Sequence, residues 1–186
     1  MPRVEASTRI ENVVATATLN QRIDLNAVVK GNPTVEYRPK QFPGLVFRLK
    51  RPKTAMLIFN SGKMVCTGAK CEKEAKRAIK KVIMELKNNG IIIVGKPEIK
   101  VVNMVASANL LGRIELEEAA YSLGSNMYEP EQFPGLIYRM DTPKVVILVF
   151  ASGKLVCTGA TKEKIVYEAV AKLHKQFEEK DLIYYE

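Results

Sequence analysis

The sequence predicts an α+β fold assembled from two copies of one unit. Three observations carry that prediction: an internal repeat at a fixed offset, apolar residues that pass from strand to helix period in the same order in both copies, and the lack of a Pro-, Gly- or Ser-rich linker between them. Sliding the 186-residue chain over itself by 91 positions aligns the copies without a gap, and about 32 of 76 aligned positions are identical. Asn12-Val-Val-Ala-Thr-Ala meets Asn103-Met-Val-Ala-Ser-Ala, and Gln41-Phe-Pro-Gly-Leu recurs as Gln132-Phe-Pro-Gly-Leu. Phe59-Asn-Ser-Gly-Lys-Met-Val-Cys-Thr-Gly-Ala meets Phe150-Ala-Ser-Gly-Lys-Leu-Val-Cys-Thr-Gly-Ala. A solenoid needs about three or more copies to bury a continuous core. Two long copies, residues 1–94 and 95–186, therefore read as a pseudo-twofold pair.

Each copy reads as strand, short helix, four short strands and long helix. The first strand is expected over Ile10–Thr18, followed by a short helix capped by Asp24 and ending at Gly31. Further strands follow over Val35–Pro39, Leu45–Lys50, Ala55–Asn60 and Met64–Ala69, with Ser61-Gly62 as a tight hairpin turn. The long helix runs from Glu72 to Asn89, with Ala75, Ala78, Ile79, Val82, Ile83 and Leu86 at helical spacing and a stop at Gly90. Its counterpart runs from about Lys162 to Glu179, and the five strands recur at the same offset. With Asn88-Asn-Gly-Ile-Ile-Ile-Val-Gly-Lys-Pro leading directly into the next strand, one continuous antiparallel sheet is expected, with the long helices on one face.

The opposite face then has no element to cover it. In the strand containing Leu57 and Phe59 these two residues oppose Met56 and Ile58, and both sets are apolar. Val65 and Thr67 oppose Met64 and Cys66; Leu148 and Phe150 oppose Ile147 and Val149; Val156 and Thr158 oppose Leu155 and Cys157. A half-exposed sheet should alternate apolar with polar residues. The surplus apolar face reads as a binding surface, the alternative being a fully buried sandwich core.

Composition narrows the partner. A formal net charge of +9 and a pI near 9.4 favour a polyanion, because Lys and Arg gain affinity by releasing counterions from phosphate. No apolar run approaches the roughly 20 residues of a membrane span, and Met1-Pro-Arg-Val-Glu lacks the apolar core of a secretory signal, so an intracellular address and no membrane contact are expected. Cys66, Cys71 and Cys157 show no metal-ligand spacing, and Cys66 and Cys157 read as small buried hydrophobes. His174, in a Lys- and Glu-rich helical stretch, is expected at the surface. No triad, metal cluster or phosphate-cradling glycine loop is apparent, so no catalytic residue, metal site or cofactor is assigned.

On the doubled Gln-Phe-Pro-Gly-Leu and Phe-x-Ser-Gly-Lys blocks, the chain closely resembles TATA-box-binding proteins over nearly its whole length. The resemblance implies a saddle in which a curved sheet of ten antiparallel strands carries four helices on its convex face and DNA beneath. The family is itself the type case of minor-groove kinking, so a wedge mechanism comes with the resemblance. Carried over, the kinking pairs are Phe42 with Phe59 and Phe133 with Phe150. Taken without the resemblance, Phe42 and Phe133 read as turn-packing residues beside Pro43 and Pro134. Asn12 and Asn103, assisted by Thr67 and Thr158, would donate to the acceptors shared by A·T and T·A pairs. Val14, Leu57, Val65, Val105, Leu148 and Val156 would rest on the groove floor, while Arg48, Ser61, Lys63, Arg139, Ser152 and Lys154 would meet phosphates.

The two halves differ in charge. Residues 1–93 hold 18 Lys+Arg and 7 Asp+Glu, a net of +11, whereas residues 94–186 hold 11 and 13, a net of −2. Tyr37-Arg-Pro-Lys-Gln-Phe is basic where Tyr128-Glu-Pro-Glu-Gln-Phe is acidic. By resemblance the acidic loop receives transcription factor B through Glu129, Glu131 and Gln132, and RNA polymerase follows indirectly. The short leader and the doubled Gln-Phe-Pro-Gly-Leu point to the archaeal branch, and so to a cytoplasmic, nucleoid-associated factor. The basic stretch Lys73-Glu-Ala-Lys-Arg-Ala-Ile-Lys-Lys reads as a hydrated helix face, with a regulator site as the alternative. A homodimer of the free chain, a protein-interaction module and an enzyme accessory domain are the competing uses of the apolar face.

Overall fold

The computed structural model describes residues 6–186, so the leader Met1-Pro-Arg-Val-Glu lies outside the described residues. Along the chain come β1 (Ser7–Thr18), α1 (Leu25–Gly31), β2 (Leu45–Lys50), β3 (Lys53–Ile58), β4 (Lys63–Ala69) and α2 (Glu72–Asn88). The second copy supplies β5 (Glu98–Asn109), β6 (Arg113–Ile114), α3 (Leu116–Ser122), β7 (Asn126–Met127), β8 (Leu136–Met140), β9 (Val145–Val149), β10 (Lys154–Ala160), α4 (Glu163–Glu179) and β11 (Ile183–Tyr184). The fold is α+β. Its main antiparallel sheet has nine strands in the order β2-β3-β4-β1-β5-β10-β9-β8-β7, and β11 pairs with β6 in a separate two-stranded sheet.

The described chain divides into two compact units, Asn12–Val102 (the first unit) and Asn103–Glu186 together with residues 6–11 (the second unit). In the first unit α2 packs across β2, β3 and β4. Ala75, Ala78, Ile79, Val82 and Leu86 are fully buried on the helix, and so are Ile58, Met64 and Cys66 on the strands. In the second unit α4 packs on β10, with Val166, Ala169, Leu173 and Phe177 buried beside Ile147 and Val149. Burying each of the larger side chains among these (Val, Leu, Ile, Met or Phe) contributes about 1.5–3 kcal/mol, so each unit holds a core of its own.

Local chemistry sets the helix ends. Asp24 accepts from the Asn26 and Ala27 amides at 3.1 and 3.3 Å and caps α1. At the end of α2, the Ile91 amide donates to Leu86 O (3.0 Å) and the Gly90 amide to Lys87 O (3.2 Å), with Gly90 at φ +91°. These two hydrogen bonds close the helix around a left-handed residue. The end of α4 repeats it with Asp181 at φ 52°, where Leu182 donates to Phe177 O (2.8 Å) and Asp181 to Glu178 O (3.2 Å).

Two expectations change and one element is added. Ten strands become nine, because Val35–Pro39 makes a single bridge, Glu36 with Val46, while its counterpart forms β7. The Val35 amide donates back to Asn32 O at 3.2 Å, so it is not available to the ladder, whereas its equivalent Asn126 pairs with Tyr138. His174 is not at the surface but buried, on the same face of α4 as Leu173 and Phe177. Its repeat partner Ile83 lies on the core face of α2, and the shared position outweighs the charged neighbours. The β6–β11 pair, in which Ile183 faces Ile114 and Tyr184 faces Arg113, was not expected.

Candidate nucleic-acid interface

Opposed residues in an antiparallel ladder project from the same face, so the pairing registers define what each unit displays. In the first unit Val46, Leu57, Val65 and Thr16 form one cross-strand row, and Arg48, Ala55 and Thr67 form the next. In the second unit the rows are Ile137, Leu148, Val156 and Ser107, then Arg139, Val146, Thr158 and Val105. Apart from the exposed arginines, all of these side chains are half-buried, whereas the alternate residues Met56, Ile58, Met64 and Cys66 are at most 1 % exposed. The helices cover one face in each unit, and the other is apolar and open. Thr16, Val46, Ala55, Ser107, Ile137 and Val146 belong to this face and escaped the sequence reading, although strand parity alone identifies them.

The two asparagines are fixed by the fold. The Gly68 amide donates to Asn12 Oδ1 at 2.7 Å, and Asn12 Nδ2 donates to Thr67 Oγ1 at 3.0 Å. The second unit repeats the arrangement, with Gly159 donating to Asn103 Oδ1 at 2.7 Å and Asn103 Nδ2 to Thr158 Oγ1 at 3.1 Å. A backbone N–H can only donate, so the oxygen faces the glycine and the NH₂ faces the threonine; its second hydrogen is left to donate elsewhere. Each contact sits at a register shift, between Val13 and Ala15 in β1 and between Thr158 and Ala160 in β10. Gly68 and Gly159, at φ +100° and +102°, allow the bulge.

The aromatic pairs are equally alike. The Phe42 and Phe59 rings stand edge to face with centroids 5.9 Å apart at 71°, and Phe133 and Phe150 do so at 5.9 Å and 69°. Phe42 and Phe133 are 41 % and 36 % exposed. Space for each pair comes from the glycine of Gln-Phe-Pro-Gly-Leu. A Cβ on Gly44 would lie 2.7 Å from Phe42 Cε1 and 3.0 Å from Phe59 Cε1, and one on Gly135 would lie 2.8 Å from Phe133 Cε1 and 3.1 Å from Phe150 Cε1. Phe42 is tethered by its amide to Arg38 O, and Phe133 to Glu129 O, at 3.0 Å in both cases.

Cations and hydroxyls edge these faces. Lys63, Lys154, Ser61, Ser152 and Arg139 are exposed, and Arg48 is exposed with Glu36 at 3.8 Å, a pair weak enough to be exchanged for a phosphate. Ser61 and Ser152 each accept from the backbone amide of the lysine two residues on, at 3.4 Å. Glu129, Glu131 and Gln132 are exposed on the loop ahead of Phe133, and Val14 and Val105 are half-buried on the open face. The sequence reading also missed a polar cluster in the second unit, where Ser107 donates to Glu11 Oε1 at 2.8 Å and Arg9 Nε lies 3.8 Å from the same oxygen. Among the described residues no group of His, Cys, Asp and Glu side chains could hold a metal ion. No helix among them is long and apolar enough to cross a membrane.

An open apolar sheet face, a basic rim and a paired aromatic edge, each present twice, define a duplicated DNA-binding protein of the α+β class. The model of the family described as "Transcription factor TFIID (or TATA-binding protein, TBP)" matches residues 7–89 and 98–180, and the chain belongs to that family. The chain is 56 % identical over 167 residues to the TATA-box-binding protein of Pyrodictium occultum, covering 90 % of this chain and 84 % of that one. It is 54 % identical over 179 residues to the TATA-box-binding protein of Sulfolobus acidocaldarius, covering 96 % and 91 %. The solved structure of Methanococcus jannaschii TBP superposes with a TM-score of 0.84 at 49 % identity, covering 93 % of this chain and 99 % of that one.

Proposed function

We propose that the chain is a general transcription initiation factor that binds the minor groove of TATA-box promoter DNA, kinks it by inserting phenylalanines, and recruits transcription factor B and through it RNA polymerase. The observation that carries this reading is the pair of edge-to-face phenylalanines, each pair seated over a glycine at the margin of an open apolar sheet face. Rings inserted at a base step replace part of the stacking they disrupt, and the widened groove then offers its floor to the apolar rows. The remaining N–H of Asn12 and of Asn103 donates to adenine N3 or thymine O2, acceptors that A·T and T·A pairs share. A guanine N2 amine brought against Val65, Val156, Leu57 or Leu148 loses its water partners, so G·C pairs are disfavoured.

The rim of Arg48, Lys63, Arg139 and Lys154 supplies register and a salt-dependent share of affinity without reading sequence. Discrimination among A·T-rich sites comes from the energy needed to deform particular steps, with flexible TA steps favoured. The acidic loop carrying Glu129, Glu131 and Gln132 distinguishes the second unit, and it is the surface assigned to transcription factor B. The chain's own chemistry is binding rather than turnover, in keeping with relatives that are transcription factors.

Inosine substitution tests the groove assignment. An I·C pair keeps the major-groove face of G·C but lacks the N2 amine, so replacing the A·T pairs of a TATA duplex by G·C should abolish binding and replacing them by I·C should restore it. Equal loss with G·C and I·C duplexes would place recognition outside the minor groove and overturn the reading.

A further inference from the structure

The turn that carries Phe150, Ser152 and Lys154 is supported from behind, and the two units support it differently. In the second unit, Ile114 N–H donates to Ala151 O and Leu110 N–H to Gly153 O, both at 2.9 Å. Gly153, at φ +89°, lies so close to the supporting segment that a Cβ on it would be 2.0 Å from Gly112 O. On its other side Gly112 is packed by the C-terminal tail, since a Cβ there would be 2.7 Å from Ile183 Cγ1 and 3.0 Å from Tyr185 Cδ1. Residues 112–114 are therefore held between the turn and β11.

The tail is in turn tied to the core of α4. Tyr185 donates to Glu178 Oε1 at 2.8 Å, and its hydroxyl oxygen lies 2.6 Å from Nε2 of the buried His174. A tyrosine has one hydroxyl hydrogen, so with that hydrogen on Glu178 it is His174 Nε2–H that faces the Tyr185 oxygen, and the same Nε2 lies 3.0 Å from Glu178 Oε1. Desolvation, and then the hydrogen bond to Glu178, push the Tyr185 hydroxyl up to about 12, which keeps this donor protonated at ordinary pH.

The first unit reaches the same end by another route. Leu19 N–H donates to Gly62 O at 3.1 Å and Ile23 N–H to Asn60 O at 2.9 Å, and a Cβ on Gly62 would be 2.1 Å from Gln21 O. Gln21 is the repeat equivalent of Gly112, and its carboxamide holds the segment equivalent to the tail, donating to Ile92 O at 2.7 Å and accepting from Val94 N–H at 2.8 Å. One unit uses a side chain where the other packs β11 directly against a residue without one.

From this difference we infer that Ile183–Tyr185 is the positioning element of the Phe150 turn, so that wedging by the second unit depends on the tail while wedging by the first depends on Gln21. The inference rests on the reading of Phe150 as a wedge. Neither Ile183 nor Tyr185 contacts DNA in this account; both act through Gly112 and Gly153.

The lifetime of the bent complex on a doubly labelled A·T duplex tests it. Tyr185→Phe keeps the ring and removes both contacts of its hydroxyl while leaving His174 beside Glu178, and it should shorten that lifetime about three- to tenfold. The same shortening is expected on a Phe59→Ala background and none beyond that of Phe150→Ala alone, because two changes acting through one group do not add. Removing residues 183–186 should give the same pattern more strongly. Equal effects on both backgrounds, or no effect of Tyr185→Phe, would overturn the inference. Should Phe150→Ala itself leave bending unchanged, the wedge reading fails, and amide exchange in the free protein decides the positioning by itself. Faster exchange at Leu110 and Ile114 in Tyr185→Phe, with Leu19 and Ile23 unchanged, supports it; unchanged exchange at Leu110 and Ile114 refutes it.

Discussion

Asn12 Nδ2 donates to Thr67 Oγ1 over 3.0 Å, and the same bond links Asn103 to Thr158 at the equivalent position of the second unit. The asparagines proposed to read base edges are thus oriented before DNA arrives, which lowers the entropy lost on binding. Asn103→Asp separates the two roles. A carboxylate still accepts from Gly159 N–H and from the Thr158 hydroxyl, so the melting temperature should stay close to wild type. It has no hydrogen to donate to adenine N3 or thymine O2, and its charge opposes the groove, so affinity for a TATA duplex should fall by at least about tenfold, or 1.4 kcal/mol. Titration of a labelled duplex measures this.

Gly135→Ala should damage bending more than folding. The added methyl would stand 2.8 Å from Phe133 Cε1 and 3.1 Å from Phe150 Cε1, so the rings must separate. Crowding of this kind costs about 1–3 kcal/mol where the neighbours cannot yield. Phe133 is partly exposed and does yield, so the loss should appear as a shallower DNA bend with a small change in thermal stability. Gly44→Ala should do the same through Phe42 and Phe59.

Reversing the charge of the acidic loop should separate DNA binding from assembly. Glu129→Arg combined with Glu131→Arg is expected to abolish the complex of this chain, TATA DNA and transcription factor B while leaving DNA binding intact. Native gel shifts with and without factor B report both, and undiminished factor B recruitment would refute the assignment of the loop.

The cysteines give a prediction with a defined pH direction. Desolvation raises the Cys66 and Cys157 thiols to about 11, with Glu74 adding to the effect at Cys66. The unfolded chain loses these protons near pH 9, at which the folded chain still holds them. Their contribution to stability is full below that pH and is lost as pH rises toward 11. At pH 8 the exposed Cys71 should react readily with a thiol reagent, while Cys66 and Cys157 react only as the protein unfolds.

Much of the fold was legible because it is written twice. The repeat located β2, α1 and α2 to within a residue, and strand parity separated Leu57 and Phe59 from Met56 and Ile58 as burial separates them. Local composition was the weaker guide wherever tertiary position overrode it. His174 has charged neighbours in sequence but occupies the core position of Ile83, and comparison of the copies at that position could have placed it. The Val35–Pro39 stretch has the length of a strand and forms one bridge, since the Val35 amide is spent on Asn32 O in the preceding turn. The pairing of β11 with β6 joins segments some 70 residues apart, and no local period announces it. At the candidate site, the aromatic and asparagine positions followed from motif and resemblance. The internal bonds that orient the asparagines need the bulges at Val13 and Thr158, which only the three-dimensional register reveals.

The most direct measurement is the end-to-end distance of a doubly labelled TATA duplex on addition of the protein, beside a G·C-substituted duplex, at several salt concentrations. The A·T duplex alone should shorten, and Phe133→Ala with Phe150→Ala should remove much of the shortening while the protein stays folded. Salt-sensitive binding of both duplexes without any change in length would contradict that expectation, leaving only the charge of the rim to explain DNA binding.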